Sequence, residues 1–208
     1  MPGRDLLALS GVAAGYHGRP AVIDVTLAVR EGEVVGLIGP NGSGKTTLVR
    51  VASRVLRPFA GRVEVAGRDL FAMSARDAAR LVAVVPQETA PVFAFTALEI
   101  VLMGRSPYLP AWGSGSPRDF RRAREAMALA GVDELAERTI DELSGGEKQR
   151  VVLAQALAQD APVLLLDAPT THLDPGHILG VLAAVRELAR GGRAVLSVFH
   201  DLNLAAAS

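Results

Sequence analysis

With 208 residues, half of them apolar, the chain can bury one substantial core and reads as one domain. Its 22 basic residues balance 22 acidic ones, so no polybasic surface for nucleic acid is expected; with no cysteine, disulfides and thiolate metal sites are excluded. The first residues, MPGRDLLALS, lack the apolar stretch of a secretory signal, and no uninterrupted apolar run reaches the ~18 residues of a membrane span. A cytosolic chain is expected, and any membrane role must come through a partner.

In chain order, Leu6 to Tyr16 and Val22 to Val29 read as strands of an antiparallel layer. Val34 to Ile38 is a short apolar run beside glycines, the pattern of a buried central strand. A glycine-rich loop follows, then helical character over Lys45 to Val55. Arg62 to Val65 is a strand between Gly61 and Gly67. Ser74 can cap a helix over Ala75 to Leu81, with Asp77 at its third position. Val82 to Val85 is a second buried strand. Thr96 to Met103 and Arg118 to Ala130 show helical spacing, with the loop PYLPAWGSGSP between them. Gly145 to Gln159 is a helix, Val163 to Asp167 a strand, Gly176 to Arg190 a helix and Ala194 to Phe199 a strand. Strands alternating with helices predict an α/β core with a mostly parallel sheet. The division expected is a core of residues 1–87 and 160–208, carrying an antiparallel β subdomain, with a helical subdomain over 88–159.

Gly39 to Thr46 satisfies the P-loop pattern: glycine first and sixth, then Lys-Thr, after a strand and opening a helix. Glycines let successive N–H groups of Gly39, Pro40, Asn41, Gly42, Ser43 and Gly44 and their neighbours wrap phosphate oxygens (Pro40 contributing no donor), and the helix N-terminus adds partial positive charge. Lys45 is expected to reach the β- and γ-phosphates, the Thr46 hydroxyl to ligate Mg²⁺, and Thr47 to donate to the α-phosphate. Asn41-Gly42-Ser43 also fits a glycosylation sequon, but the loop is needed for phosphate. His172 and His177 lack a metal-binding spacing, and the GSGSP stretch near Gly113 lacks the preceding strand of a nucleophile elbow.

A second glycine motif, LSGGE from Leu143 to Glu147, precedes the helical run KQRVVLAQAL, and VLLLDAPT from Val163 to Thr170 ends an apolar strand in Asp167. Alone, SGGE reads as a capped helix start. In this order the motifs resemble the ATP-binding domain of ABC transporters. The fold implied is a P-loop NTPase (RecA-like) core with an antiparallel β subdomain and an inserted helical signature subdomain. The resemblance implies a dimer formed on ATP binding, in which Ser144, Gly145, Gly146 and Glu147 of one copy close over ATP held by the P-loop of the other. It implies that Asp167 holds the Mg²⁺ shell, that Gln87 contacts Mg²⁺ and relays nucleotide state, that Leu173-Asp174 crosses the dimer interface, that His200 sits near the γ-phosphate, and that Tyr16 stacks on adenine. For Tyr16, packing in the core is the competing reading.

The whole chain looks like the ATPases of siderophore–iron, haem and cobalamin importers, through MGRSPYLPAWG, DAPTTHLD and VFHDLNLAA. That resemblance implies membrane permease subunits as partners, a periplasmic binding protein indirectly, no nucleic acid, and a peripheral place on the cytoplasmic face of the inner membrane. The segment Phe93 to Met103, close behind Gln87, is expected to dock the permease, with Phe93 and Phe95 alternatively in the core. The cargo is not encoded, because the ATPase never touches it. A non-transport ABC ATPase of cluster-assembly type, or a catalytically silent ATP-binding subunit, is the alternative.

Two departures from the family pattern stand out. Ala168 replaces the usual glutamate after the Walker B aspartate, and a methyl group can neither accept a proton nor orient water. ATP binding with impaired hydrolysis is expected, from a substitution in an otherwise competent site. The chain also stops eight residues after His200, where related ATPases continue, which reads as a truncated product.

Overall fold

The computed structural model describes residues 3–87, 94–110, 115–167 and 175–199. Expectations for Phe93, Ala168, Leu173, Asp174 and His200 lie outside these residues. The chain opens with two long strands, β1 (Asp5–Tyr16) and β2 (Arg19–Arg30), followed by β3 (Val34–Ile38) and helix α1 (Lys45–Ala52). Strands β4 (Ala60–Val65) and β5 (Arg68–Asp69), helix α2 (Ala75–Ala79) and strand β6 (Val82–Val85) come next. Helices α3 (Ala97–Met103), α4 (Pro117–Leu129) and α5 (Gly145–Ala158) are separated by two short 3₁₀ turns at Asp133–Leu135 and Ile140–Glu142. Strand β7 (Val163–Asp167), helix α6 (Pro175–Arg190) and strand β8 (Ala194–Phe199) follow.

The strands form two sheets. One is antiparallel, in the order β2-β1-β4-β5; the other is parallel, in the order β3-β8-β7-β6. The β1–β2 hairpin closes at His17 and Gly18, both with positive φ (51° and 74°), as a two-residue turn of primed type requires. Alternation along β1, shifted by one residue at an irregularity between Leu9 and Val12, puts Leu7, Leu9, Val12 and Ala14 inside. These side chains meet Leu48, Val49, Val51 and Ala52 of α1 and one face of the parallel sheet, through Val163, Leu165, Leu196 and Val198. The other face of the sheet, with Leu164, Leu166 and Val195, packs on α3, α4 and α5. Period-two alternation in β7 and β8 therefore feeds two cores from one sheet.

Several boundaries and placements differ from the sequence expectation. α1 stops at Ala52, not Val55, because Arg54 takes left-handed φ (66°) while its guanidinium donates to the carbonyls of Leu70 (3.2 Å) and Met73 (2.9 Å). That tertiary anchor ends the helix. β3 is not central: among the described residues it pairs with β8 alone and lies at the sheet edge, with Ile38 47 % exposed. An apolar run reports burial potential, not strand order. The short strand β5 and the two 3₁₀ turns carry too few residues for a periodic signal.

The helical layer is tied to the sheet layer by polar contacts. Arg76 of α2 and Arg80, which caps its C-terminus, each donate Nε to the Pro107 carbonyl (2.9 and 3.0 Å), and Arg76 also reaches the Leu109 carbonyl. Gln159, just past α5, donates to the carbonyls of Val82 (2.7 Å) and Ala79. The Arg105 guanidinium lies 4.0 Å from the centroid of the Tyr108 ring, and that of Arg80 lies 5.5 Å from it. Arg105 is buried: its Nε meets Asp119 Oδ1 at 3.0 Å and its Nη1 donates to the Ala158 carbonyl at 2.7 Å. Gly104 makes this approach possible, because a Cβ there would stand 2.1 Å from the Gln155 carbonyl oxygen.

Asp119 also closes a capping box with Ser116 at the start of α4. Hydrogen bonds from the Ser116 hydroxyl and amide, then the contact with Arg105, hold its carboxyl below the ordinary 3.8, against the opposing effect of burial. A depressed carboxylate stabilises the fold above its unfolded pKa, and that contribution is lost as pH falls through the folded value. Asp119→Asn, which leaves the Arg105 charge buried without its counter-ion, is expected to cost about 3 kcal/mol at neutral pH. In urea unfolding the gap between the two proteins should hold down to about pH 5 and narrow below it. A gap independent of pH would show that shape rather than charge is lost.

Candidate nucleotide-binding site

Strand β3 delivers Gly39 at its carboxyl end, and the loop returns as the first turn of α1. Gly44 caps that helix in left-handed conformation (φ 92°) without any side-chain hydrogen bond. No other residue fits: a Cβ would lie 2.3 Å from Val22 Cγ1 and 2.9 Å from the Ala21 carbonyl oxygen. The loop is thus wedged against the start of β2.

Helices α2, α3, α4 and α5 all begin with a serine or threonine whose side chain accepts from a first-turn amide, and each has an acid in that turn. α1 has neither; its first residue is Lys45. Its N-terminal positive potential is left uncompensated, facing a cleft of about 730 Å³ lined by Ala21, most of the Gly39-to-Thr47 loop, and Gln87. Lys45 is buried, and its Nζ donates to the carbonyls of Gly39 (2.7 Å) and Pro40 (2.8 Å) and to Ser43 Oγ (3.3 Å). The ammonium is held in the cleft wall by its own loop. Pro40, Asn41 and Gly42 line the mouth, and the Thr47 side chain is buried beneath.

Asp167 ends β7, two strands from β3. Its Oδ1 lies 3.3 Å from the Thr46 hydroxyl, across 121 residues of sequence. Thr46 and Asp167, together with Gln87, line a larger groove of about 990 Å³ between α1, α2 and β6 on one side and α3 and α5 on the other. Hydroxyl, carboxylate and amide oxygens are the donors a hard cation such as Mg²⁺ takes, and a pair of protein ligands with waters is its usual share. Among the described residues no cluster of three histidine, cysteine or acidic side chains exists that would hold a metal by itself.

Tyr16 ends β1 and is 38 % exposed, so it does not belong to the core. It borders a second cleft, of about 590 Å³, with His17, Arg19, Pro20 and Ala21. Ala21 lines both this cleft and the one at the glycine loop, so the two are neighbours. Reading the sequence missed Ala21 and Arg50; the latter donates to the Tyr16 hydroxyl. Neither belongs to a motif, and only the closeness of hairpin and helix reveals them.

Ser144 and Gly145 are exposed at the start of α5. Among the described residues, none from Ser144 to Glu147 lines the phosphate cleft of the same chain. The Ser144 hydroxyl and amide both donate to Glu147 Oε2 at 2.7 Å. Those bonds, the hydroxyl first, hold the Glu147 carboxyl below its ordinary 4.5. A carboxylate therefore already occupies the anion-favouring position at this helix start.

The ABC transporter family model matches residues 22–171. The cobalamin import ATP-binding protein BtuD of Halobacterium salinarum is 45 % identical over 201 residues, which is 96 % of this chain and 50 % of that protein. The hemin import ATP-binding protein HmuV of Gloeobacter violaceus is 47 % identical over 97 % of this chain and 75 % of its own length. The iron(3+)-hydroxamate import ATP-binding protein FhuC of Bacillus subtilis is 40 % identical over 96 % and 75 %. The chain thus spans about half the length of the first relative and about three quarters of the other two. Among solved structures, a nucleotide-free ATP-binding cassette from an ABC transporter superposes with TM-score 0.86 at 25 % identity, over 98 % of this chain and 84 % of that one. A dimeric bacterial ABC transporter cassette gives 0.83 at 29 %, over 97 % and 91 %. Motif order, fold and relatives agree, and the chain belongs to the ABC transporter family of ATP-binding proteins.

Proposed function

We propose that this chain is the ATP-binding subunit of an importer for a metal-chelate or corrinoid cargo, of the iron–siderophore, haem or cobalamin class. The observation that carries the nucleotide part is the start of α1: it lacks both side-chain cap and first-turn acid, and it holds a buried lysine beside an open cleft. An anion supplies what the sequence withholds there. The cargo class follows from the names of the relatives.

In this reading the triphosphate lies along the Gly39-to-Thr46 loop and exchanges with the loop carbonyls for the Lys45 ammonium. The base lies over Tyr16, in the cleft that shares Ala21. Thr46, Asp167 and Gln87 would hold Mg²⁺, which when bound offsets phosphate charge. Ser144, Gly145, Gly146 and Glu147 point away from their own cleft and serve a second copy, so ATP joins two chains. In sequence Ala168 directly follows Asp167, in place of the glutamate that would activate water, and His200 directly follows β8. Binding and closure are retained while turnover is slow. Among the described residues no helix is long and apolar enough to cross a membrane, which suits a peripheral subunit on the cytoplasmic face, carried by a permease. The groove between α1, α2 and α3 is the proposed docking place, with Val55 76 % and Met103 40 % exposed at its wall. Phe95 packs partly buried against the helical core, which favours a structural role for it.

Three measurements test this. Lys45→Ala removes a charge-assisted contact and should weaken ATP binding by about 1.5–3 kcal/mol in calorimetric titration; unchanged affinity would remove the phosphate assignment. Ala168→Glu should raise phosphate release roughly 10²–10⁴-fold, the contribution of a positioned general base, while leaving ATP affinity nearly constant. Equal rates would place the general base elsewhere. Glu147→Gln keeps an acceptor for the capping box but removes a negative charge from the surface offered to the second copy's triphosphate. Sedimentation with Mg²⁺–ATP should show a tighter dimer for that variant, and a weaker one would mean that the carboxylate itself is required.

A further inference from the structure

We propose that Arg50 is a positioning residue for the nucleobase: it fixes the Tyr16 ring from behind and ties it to the helix that holds the phosphates. The inference rests on the nucleotide reading above and extends it to a residue outside every motif.

Tyr16 sits at the rim of a hairpin, immediately before the turn at His17 and Gly18. A half-exposed phenol there would be free to change rotamer, and each change would alter the wall of the adjoining cleft. Arg50 prevents this. Its Nη1 donates to the Tyr16 hydroxyl at 2.9 Å, and its guanidinium carbon lies 5.8 Å from the ring centroid. A charged donor gives a stronger hydrogen bond than a neutral one, and the planar guanidinium restricts the direction of approach. Arg50 lies outside the cleft that Tyr16 borders and lines the groove shared by Thr46, Gln87 and Asp167, so it reaches the ring from the phosphate-loop helix.

The anchor is on the right element. Arg50 follows Thr46 by four residues on α1, so both side chains leave the same face of the helix. Thr46 meets Asp167, and Arg50 meets Tyr16. One rigid helix therefore sets the spacing between a polyphosphate end and a planar aromatic end. The two clefts lie side by side at Ala21, on the strand that packs against Gly44. A ligand with phosphates at one end and a flat heteroaromatic ring at the other spans that junction. Holding the ring in place before binding reduces the ordering cost paid by the complex.

The test compares Mg²⁺–ATP with inorganic tripolyphosphate, which has no base, in calorimetric titrations of the full chain. Arg50→Ala should weaken ATP about three- to tenfold, the loss expected for one hydrogen bond, and leave tripolyphosphate unchanged. Tyr16→Phe, which deletes only the hydroxyl, should give the same loss, and the double variant no further loss. Arg50→Lys, which keeps one charged donor, should recover part of it. Should Arg50→Ala not fold, Tyr16→Phe alone still separates the two ligands. Equal weakening of ATP and tripolyphosphate would show that Arg50 supports the phosphate helix and would overturn the proposal. So would fully additive losses, or no loss. A wild-type chain that binds neither ligand would instead overturn the nucleotide reading itself.

Discussion

Parallel pairing of β3, β8 and β7 is the constraint on which the site depends. In register, Leu37 and Asp167 both lie level with Val198, so the three strands end together at one edge of the sheet. The glycine loop leaves β3 one residue later, and Asp167 arrives at the same height two strands away. Their separation is then small enough for the Thr46 hydroxyl to meet the carboxylate. Antiparallel pairing would send one of these groups to the far end of the sheet. Parallel strands need crossovers, and here the connection between the partners also carries β4, β5, α2, β6 and the helical layer, 121 residues in all. The site lies at the carboxyl ends of the strands, where open α/β sheets hold their ligands.

The helix starts divide the work. A serine or threonine with an acid three residues later satisfies the loose amides of α2 to α5 and gives each a defined beginning. α1 departs from that rule and is short, at eight residues. Its stability comes from burial of Leu48, Val49, Val51 and Ala52 against the antiparallel sheet, not from its cap. The chain can leave its amides uncompensated because packing holds the helix in place. At α5 the same capping chemistry has another consequence, since the Glu147 carboxylate takes the anion-favouring position at that helix start.

The layers are joined by two means that differ in rigidity. Apolar packing of α3, α4 and α5 on one face of the parallel sheet forms a continuous core. At its margin, guanidinium groups from α2 grip the carbonyls near Pro107, and Arg105 is held between Tyr108, Asp119 and the end of α5. Directional bonds of this kind hold one relative placement of the layers, while the broad groove beside them, lined by Gln87 and Met103, is open to a partner.

Much of the fold could be read from local pattern. Alternation in Leu6 to Tyr16, the run Val163 to Asp167 and the Ser-x-x-Glu start at Ser144 each reflect a periodicity or a bond within a few residues. The P-loop is legible for the same reason: its glycines, Lys45 and Thr46 act within one loop and one helix turn. Three features were decided only in the folded chain. Among the described residues β3 lies at an edge although its residues read as buried, because strand order depends on which strands find partners. α1 ends early because Arg54 is anchored by the distant carbonyls of Leu70 and Met73. Tyr16 and Ala21 come beside Lys45 and Thr46 along two neighbouring clefts, with Arg50 bonded to the Tyr16 hydroxyl, because the β1–β2 hairpin packs against Gly44. The sequence by itself determined the chemistry available at the phosphate loop, since that chemistry is local. The distance and orientation between Tyr16, the Gly39-to-Thr46 loop and Asp167 were set by tertiary structure alone, since they arise from contacts between segments that carry no mark of one another.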